Sequence, residues 1–384
     1  VSIEVVEVPP SGASPREHRR WQDDWALSWH GVRTVARLEL RQRVRSTRWK
    51  IALLVWFVVV GGITMLVTGV FSDEWFGDER AMGRTVFGLV VFFVLFLGLL
   101  VAPTLSASAI NGDRAAGTLA TLQATLLTPA EIVVGKLLAA WAAALAFLAA
   151  SVPFLVFALL TGELSVAPLL SMLAVLTLVL GVVCAIGLAF SAVASKASGS
   201  AVLTYLAVAG LSVMTAILFG LTAPLVTQME EIRVWETVGQ GEWEEGQPPA
   251  CEWSTHEQPV WHSERTWWLL AANPFVIVAD AQPLPDEDQL WMTEDPLSAI
   301  QLGVRTARSG PTYEQDWCGY GEYYDADGNL VPYESPVQEP EPSEAEVWPW
   351  GLGLYLLFGA GSVVVAVRRL RIPTRSLPRG TRVA

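Results

Sequence analysis

Six stretches of this chain stay apolar for about twenty residues or more, the length at which a helix crosses a bilayer. They run from about Ile51 to Val70, Thr85 to Ala107, Ile132 to Leu160, Val166 to Ala194, Ala201 to Val226 and Val347 to Val367. No other feature narrows the fold so much. A soluble core has no use for this many unbroken runs. In lipid a segment must satisfy its own backbone groups, which selects the helix. The predicted fold class is therefore an all-α integral membrane protein with six transmembrane helices, and the 52% share of hydrophobic residues agrees with it.

Charge orients this plan, because Lys and Arg in short loops favour the cytoplasmic side. With the N-terminus inside, 19 of the 25 Lys and Arg fall on that side: those before residue 51, then Arg114, Lys136 and Lys196, and the tail from Arg368. The expectation is a multi-pass plasma-membrane protein with both termini cytoplasmic. The first 48 residues hold no apolar core of the kind a cleaved leader needs, and residues 1–28 read as a polar tail. Between Trp29 and Arg48, Arg33, Arg37, Arg41 and Arg45 recur every four residues. Val32, Ala36, Leu40 and Val44 do the same, joined by Val35. Such an amphipathic helix fits the membrane surface, with its arginines among anionic head groups. An ordinary solvated helix face is the alternative. The domains expected are 1–48 (tail and amphipathic helix), 49–226 (five spans), 227–346 (an acidic external segment), 347–367 (the sixth span) and 368–384 (a basic tail).

Residues 108–136, between the second and third runs, read SAINGDRAAGTLATLQATLLTPAEIVVGK. Leu119, Leu122 and Leu126 fall at helical spacing, giving a short helix with one apolar face. Thr128, Pro129 and Glu131 stand where an N-cap, a first-turn proline and the return partner of a capping box belong. Helix, sharp stop, helix is the expected order. Lys136 is expected to reach the cytoplasm from the base of the third span, touching Asp113 or Glu131.

This stretch resembles the type-2 permease family of ATP-binding-cassette (ABC) exporters. The matching residues are Asp113, Arg114, Gly117, Thr118, Leu119, Leu122, Thr128, Pro129, Gly135 and Lys136; where the family often carries an acidic residue, this chain has Ala115. The resemblance implies a cytoplasmic coupling helix near 113–127 that contacts a separate ATPase. It makes Asp113, Arg114, Gly117, Thr118, Leu119, Leu122, Leu126, Thr128 and Pro129 the candidate coupling residues, and Trp29–Arg48 the connecting helix. The Asn273-Pro274-Phe275-Val276 stretch and the residues from Arg371 to Ala384 are similar to those of actinobacterial members. The implied partners are an ABC ATPase, a second permease subunit, identical or not, and membrane lipids; no nucleic acid is implied. No Gly-x-x-x-x-Gly-Lys-Ser/Thr loop occurs, so ATP is expected on the partner and no cofactor on this chain.

Residues 227–346 carry 25 acidic side chains and four arginines, so the chain's net charge of −13 originates here. Trp235, Trp243, Trp253, Trp261, Trp267, Trp268, Trp291 and Trp317 are enough to build a small core, so the segment reads as a folded cap. Gln247–Ala250 and Glu334–Ala345, rich in Pro and Glu, are expected to stay extended. Cys251 and Cys318 suit a disulfide in an oxidising compartment. A metal held by them with His256 and His262 is the alternative, although the spacing matches no zinc pattern. Asp325-Ala-Asp327-Gly328-Asn329 reads as a turn rather than a calcium loop. Residues 265–280 are apolar but too short to cross. They either lie in the outer leaflet, anchored by Trp267 and Trp268, or form the core of the cap.

No catalytic constellation is present, and the near absence of acidic residues from the spans argues against a proton relay. Ser212 and Thr215 share a face of the fifth span. They suit either interhelix hydrogen bonds or a weakly polar wall of a translocation path. Gly351, Gly353, Gly359 and Gly361 suit close packing inside the subunit or a dimer seam. The expected function is export of a hydrophobic or amphipathic substrate, such as a lipid or drug, by alternating access. A membrane-anchored receptor working through the acidic cap, and an ATP-independent channel or carrier, remain as alternatives of other classes.

Overall fold

The computed structural model describes residues 24–70, 79–123, 127–161, 166–238, 251–283, 295–318, 322–324, 330–332, 335–337 and 342–371. Each apolar run is a helix: Thr47–Val70, Glu79–Ser106, Pro129–Thr161, Val166–Val193, Ala197 through Val226, and Trp348–Leu370. These are the six spans, all long and apolar enough to cross a membrane. The fifth opens four residues earlier than expected, leaving only residues 194–196 as the turn. Ser200 explains this: its hydroxyl donates to the Ala107 carbonyl (2.5 Å) and draws the start of the helix against the end of the second span. A π-helical turn at Gly210–Met214 interrupts the fifth span.

The second, third and fourth spans make the centre of the bundle, burying Leu95, Ala102, Ala140, Leu155, Met172 and Leu176. Alanines along the third span permit close packing, and Trp indoles lock neighbours polar to polar. Trp56 donates to Ser151 Oγ (2.9 Å) and Trp141 to the Thr177 carbonyl (2.8 Å). The first and fifth spans are peripheral, with Leu54, Val58, Met65 and Leu66 exposed on one and Leu206, Val213, Leu221 and Leu225 on the other. The glycines of the sixth span divide by face. Gly351 lies against the Ala271 carbonyl and Gly359 against Val182, whereas Gly353 and Gly361 meet nothing.

Between the fifth and sixth spans the chain builds a folded loop. Strand β1 (Thr227–Thr237) continues directly from the fifth span and pairs antiparallel with β2 (Cys251–Trp261), from Thr227↔Trp261 to Thr237↔Cys251. Strand β3 (Glu314–Asp316) adds in parallel beside Arg233–Trp235, giving the order β2-β1-β3. A two-stranded hairpin pairs Glu322–Tyr324 with Leu330–Pro332. Among the described residues the tryptophans do not build a joint core. Ile232, Val234 and Val260 fill that place. Trp235 and Trp253 stand opposite each other on the other face of the hairpin, ring to ring at 5.4 Å, with the Arg233 guanidinium over Trp253. Strand alternation explains it: Trp235 shares its face with the exposed Glu231 and Arg233, not with Ile232 and Val234.

Of the two places open to residues 265–280, the structure selects the core. Short helices Trp268–Ala271 and Pro274–Ala279 bury Val276, Ile277, Val278 and Ala279, and the last three join the same apolar cluster as the spans. Trp268 is 59% exposed and Trp267 packs under the Arg308 guanidinium. Helix Pro296–Ser309 lies beside them. Trp243, Trp291, the 325–329 turn, the 247–250 stretch and the basic tail from residue 372 lie outside the described residues.

Candidate functional site

The loop between the second and third spans is two short helices, Asn111–Ala115 and Thr118–Gln123, rather than the single helix that the leucine spacing predicts. Gly117 separates them at φ 72°, a left-handed conformation that a side chain resists. Ser191 of the fourth span anchors the start, its hydroxyl accepting from the Ile110 and Asn111 amides (3.0 and 3.1 Å). Arg114 donates to the Ala194 carbonyl (3.4 Å) and to Asn111 Oδ1 (3.3 Å). Leu119 is 4% exposed, set among Ile110, Ile132, Val133, Leu188, Val367 and Leu370, and Leu122 rests half-buried on the same cluster. The leucines therefore seat the loop on its own bundle. The corner left exposed is Ala115, Ala116, Gly117 and Thr118. Leu126 lies outside the described residues.

The capping box closes as the sequence predicts. Glu131 N donates to Thr128 Oγ1 (3.2 Å), and Thr128 N donates to Glu131 Oε2 (2.9 Å). The same groups reach further. Glu131 Oε1 accepts from Ser28 N (2.8 Å), and Thr128 Oγ1 donates to the Ala26 carbonyl (2.7 Å). These bonds dock the start of helix Trp29–Arg45, which we term the entry helix.

The entry helix ends at Arg45, three residues short of the expected boundary; Val32 and Val35 of its apolar side meet protein, whereas Val44 is exposed. Val32 and Val35 are buried against the third span at Gly135, where a Cβ would stand 2.6 Å from Val35 Cβ. Gly31 likewise leaves no room beside the Glu131 carboxylate. Arg43 donates to the Leu105 carbonyl (2.8 Å), and Asp24 pairs with Arg371 (3.1 Å), so the second and sixth spans are also held. Arg33, Arg37, Arg41 and Arg45 face outward and are exposed.

Lys136 does not emerge at the surface. It is 2% exposed, and its ammonium lies between Asp113 Oδ2 (2.5 Å) and Glu39 Oε1. Glu131, the other partner expected, is engaged by Ser28 and Thr128 instead. Glu39 was not foreseeable from local spacing, being 97 residues from Lys136.

At the opposite end, Ser212 and Thr215 meet Asn273. The Asn273 amide donates to the Ser212 carbonyl (2.7 Å), within the π-helical turn, and to Thr215 Oγ1 (3.1 Å). Its carbonyl oxygen caps Phe275 N (2.9 Å). A wide turn frees backbone acceptors, and Asn273 takes one of them. Asp280 accepts from the Val347 and Trp348 amides (2.5 and 2.8 Å) and from Arg305 Nε (2.6 Å), the charged pair being almost fully buried. Asp295 caps Leu297 and Ser298, and burial pushes its carboxyl above the usual range against the pull of those bonds. Asn273-Pro274 and Asp295-Pro296 are both N-cap signals readable in sequence.

Cys251 and Cys318 are joined in a disulfide, with Cα atoms 6.3 Å apart. This removes both sulfurs from the alternative metal set. His256 bonds Glu236 (3.1 Å) and stacks on Trp317; His262 sits between Glu230 (3.1 Å) and Glu264 (2.9 Å). Hydrogen bonds from Ser254 and His256 hold the Glu236 carboxyl below its ordinary range, and a bond to Glu230 holds the Tyr313 phenol above its own.

Six spans, a packed loop between the second and third, and a helix docked beneath them define a polytopic transport subunit rather than an enzyme or a simple anchor. Residues 33–249 match the profile of the family described as ABC-2 family transporter protein, and the chain belongs to that family. The matched residues are the family's transmembrane part. Permeases of this family generally pair with ABC ATPase subunits and bind no cofactor themselves. No curated protein matches the chain.

Proposed function

We propose that this permease exports a hydrophobic or amphipathic substrate, paired with a second permease subunit and driven by ATPases docked at its 111–123 loop. That loop and both termini face the cytoplasm, and the sheet faces outward. The observation that carries the reading is the exposed Ala115–Thr118 corner on a loop whose Asp113, Arg114, Leu119 and Leu122 are tied to the bundle. A soluble motor can push such a corner without the loop folding away. Asp113, Arg114, Gly117, Leu119, Leu122, Thr128 and Pro129 shape or seat it, and Thr118 lies on it.

Substrate passes between the two permeases, along the apolar outer face of the fifth span. Ser212 and Thr215 serve this path by holding the outer segment through Asn273. The apolar lining suits a lipid or lipophilic drug better than an ion. The exposed arginines of the entry helix rest among anionic lipid head groups.

Co-purification with the ATPase, followed by ATP turnover in lipid discs, tests the proposal. The wild-type pair is expected to form and to respond to candidate lipids or drugs. Leu122→Asp is expected to insert normally and to lose that response, because a carboxylate cannot stay on the apolar seat. Unchanged transport in Leu122→Asp would sink the assignment.

A further inference from the structure

The loop at residues 111–123 is held from two sides. On one, Ser191 and the Ala194 carbonyl bind it to the end of the fourth span. On the other, Asp113 binds Lys136 at the base of the third span, and Lys136 also binds Glu39 of the entry helix. The entry helix leads into the first span after one residue, Ser46. A single buried cation thus joins three elements, two of which meet the first and third spans.

The surroundings make this joint specific. Gly135 lets the entry helix approach until Val35 lies against the third span. The next residue then projects its ammonium between the two carboxylates. Glu39 and Asp113 are partly exposed, whereas Lys136 is enclosed. An ammonium removed from water must keep charged partners, because burying it uncompensated is strongly unfavourable. Neither carboxylate can therefore leave Lys136 freely.

We propose that Lys136 is the positioning residue of the coupling step: shared between Asp113 and Glu39, it makes the 111–123 loop and the entry helix move as one body. A push on the loop then reaches the first and third spans together, instead of displacing the fourth alone. This rests on the loop being the ATPase contact.

Spin labels at Gly112→Cys, on the loop but outside the Ala115–Thr118 corner, and at Thr34→Cys, both exposed positions, report the loop-to-helix distance. Cys184 is buried and the other two cysteines are joined, so added thiols are labelled selectively. The distance is measured in the ATPase complex, with and without ATP. In the wild-type background it is expected to stay constant between the two states. Lys136→Met alone leaves two carboxylates unpaired and can fail to fold. The decisive variant is therefore E39Q/D113N/K136M, which keeps side-chain size and removes all three charges.

In that triple variant, ATP is expected to shift or broaden the distance by about 2 Å or more, the scale of helix displacements in coupled transitions, while hydrolysis continues. The full inversion E39K/D113K/K136E places one carboxylate between two cations and should restore the constant distance, which a role confined to packing would not. An uncharged triple variant as invariant as wild type would overturn the proposal. So would a wild-type distance that changes with ATP. Failure of the wild-type chain to bind the ATPase would instead remove the coupling reading on which the proposal stands.

Discussion

At the sheet end Asp280, Asp295 and Asn273 each turn a side-chain oxygen onto the start of a helix, whereas at the loop end Lys136 is divided between carboxylates of two separate elements. Helix-start amides are fixed by the backbone, so a group bonded to them has one geometry. A cation shared between two side chains instead ties two separate elements to each other, and neither is bonded through it to a helix start. The sheet end is thus built as a bracket: Asn273 grips the fifth span, Asp280 the sixth, and Asp295 lies against Gly88 of the second. The loop end is built as a joint. The alternating access proposed above needs both, a part that holds its geometry and a part that receives displacement.

The bracket is broken most severely at Asp280–Arg305. Arg305→Leu strands a buried carboxylate, and Asp280→Ala strands the guanidinium. Either is expected to cost about 3–5 kcal/mol and to lower the melting temperature of the purified protein well below that of surface controls. A melt indistinguishable from wild type would mean the sheet end is not held this way.

Next comes the disulfide. Cys251→Ser with Cys318→Ser opens a loop of 67 residues, and closing such a loop is worth roughly 2–4 kcal/mol. Faster hydrogen exchange is expected in β1 and β2 and none in residues 111–136. Acceleration at both ends would show that the two regions are not independent.

The smallest effect belongs to Asp295. Its carboxyl titrates above the ordinary range because it is buried. The fold therefore binds that proton more tightly than the unfolded chain does, and its contribution falls as pH rises through the raised value. Asp295→Asn keeps the cap and carries no charge, so stability at pH 7 should change by no more than about 1 kcal/mol, Asn and Asp being equivalent caps. The pH slope in the mildly acidic range should flatten. A large loss would mean that the charge itself is needed against the second span.

The six spans were legible because each is a continuous apolar run, and the turn into the third was legible because Thr128-Pro129-Ala130-Glu131 is a local code. The disulfide was legible as a pair, since only two cysteines lie outside the spans. The joint was half legible: Asp113–Lys136 follows from the loop's reach, but Glu39 enters from 97 residues away. Residues 265–280 were ambiguous for a different reason. An apolar segment of that length reads the same whether it meets lipid or the ends of other helices. Its burial is decided by Asn273 and Asp280, whose partners lie far off in sequence. The tryptophans misled because aromatic content does not say which face of a strand carries them.

The most direct test places a photocrosslinking side chain at Ala116 of the permease bound to its ATPase, and a second at Thr255, exposed on β2. The account predicts a crosslink to the ATPase from position 116 and none from position 255. A crosslink from 255, or none from 116 in an intact complex, would contradict it.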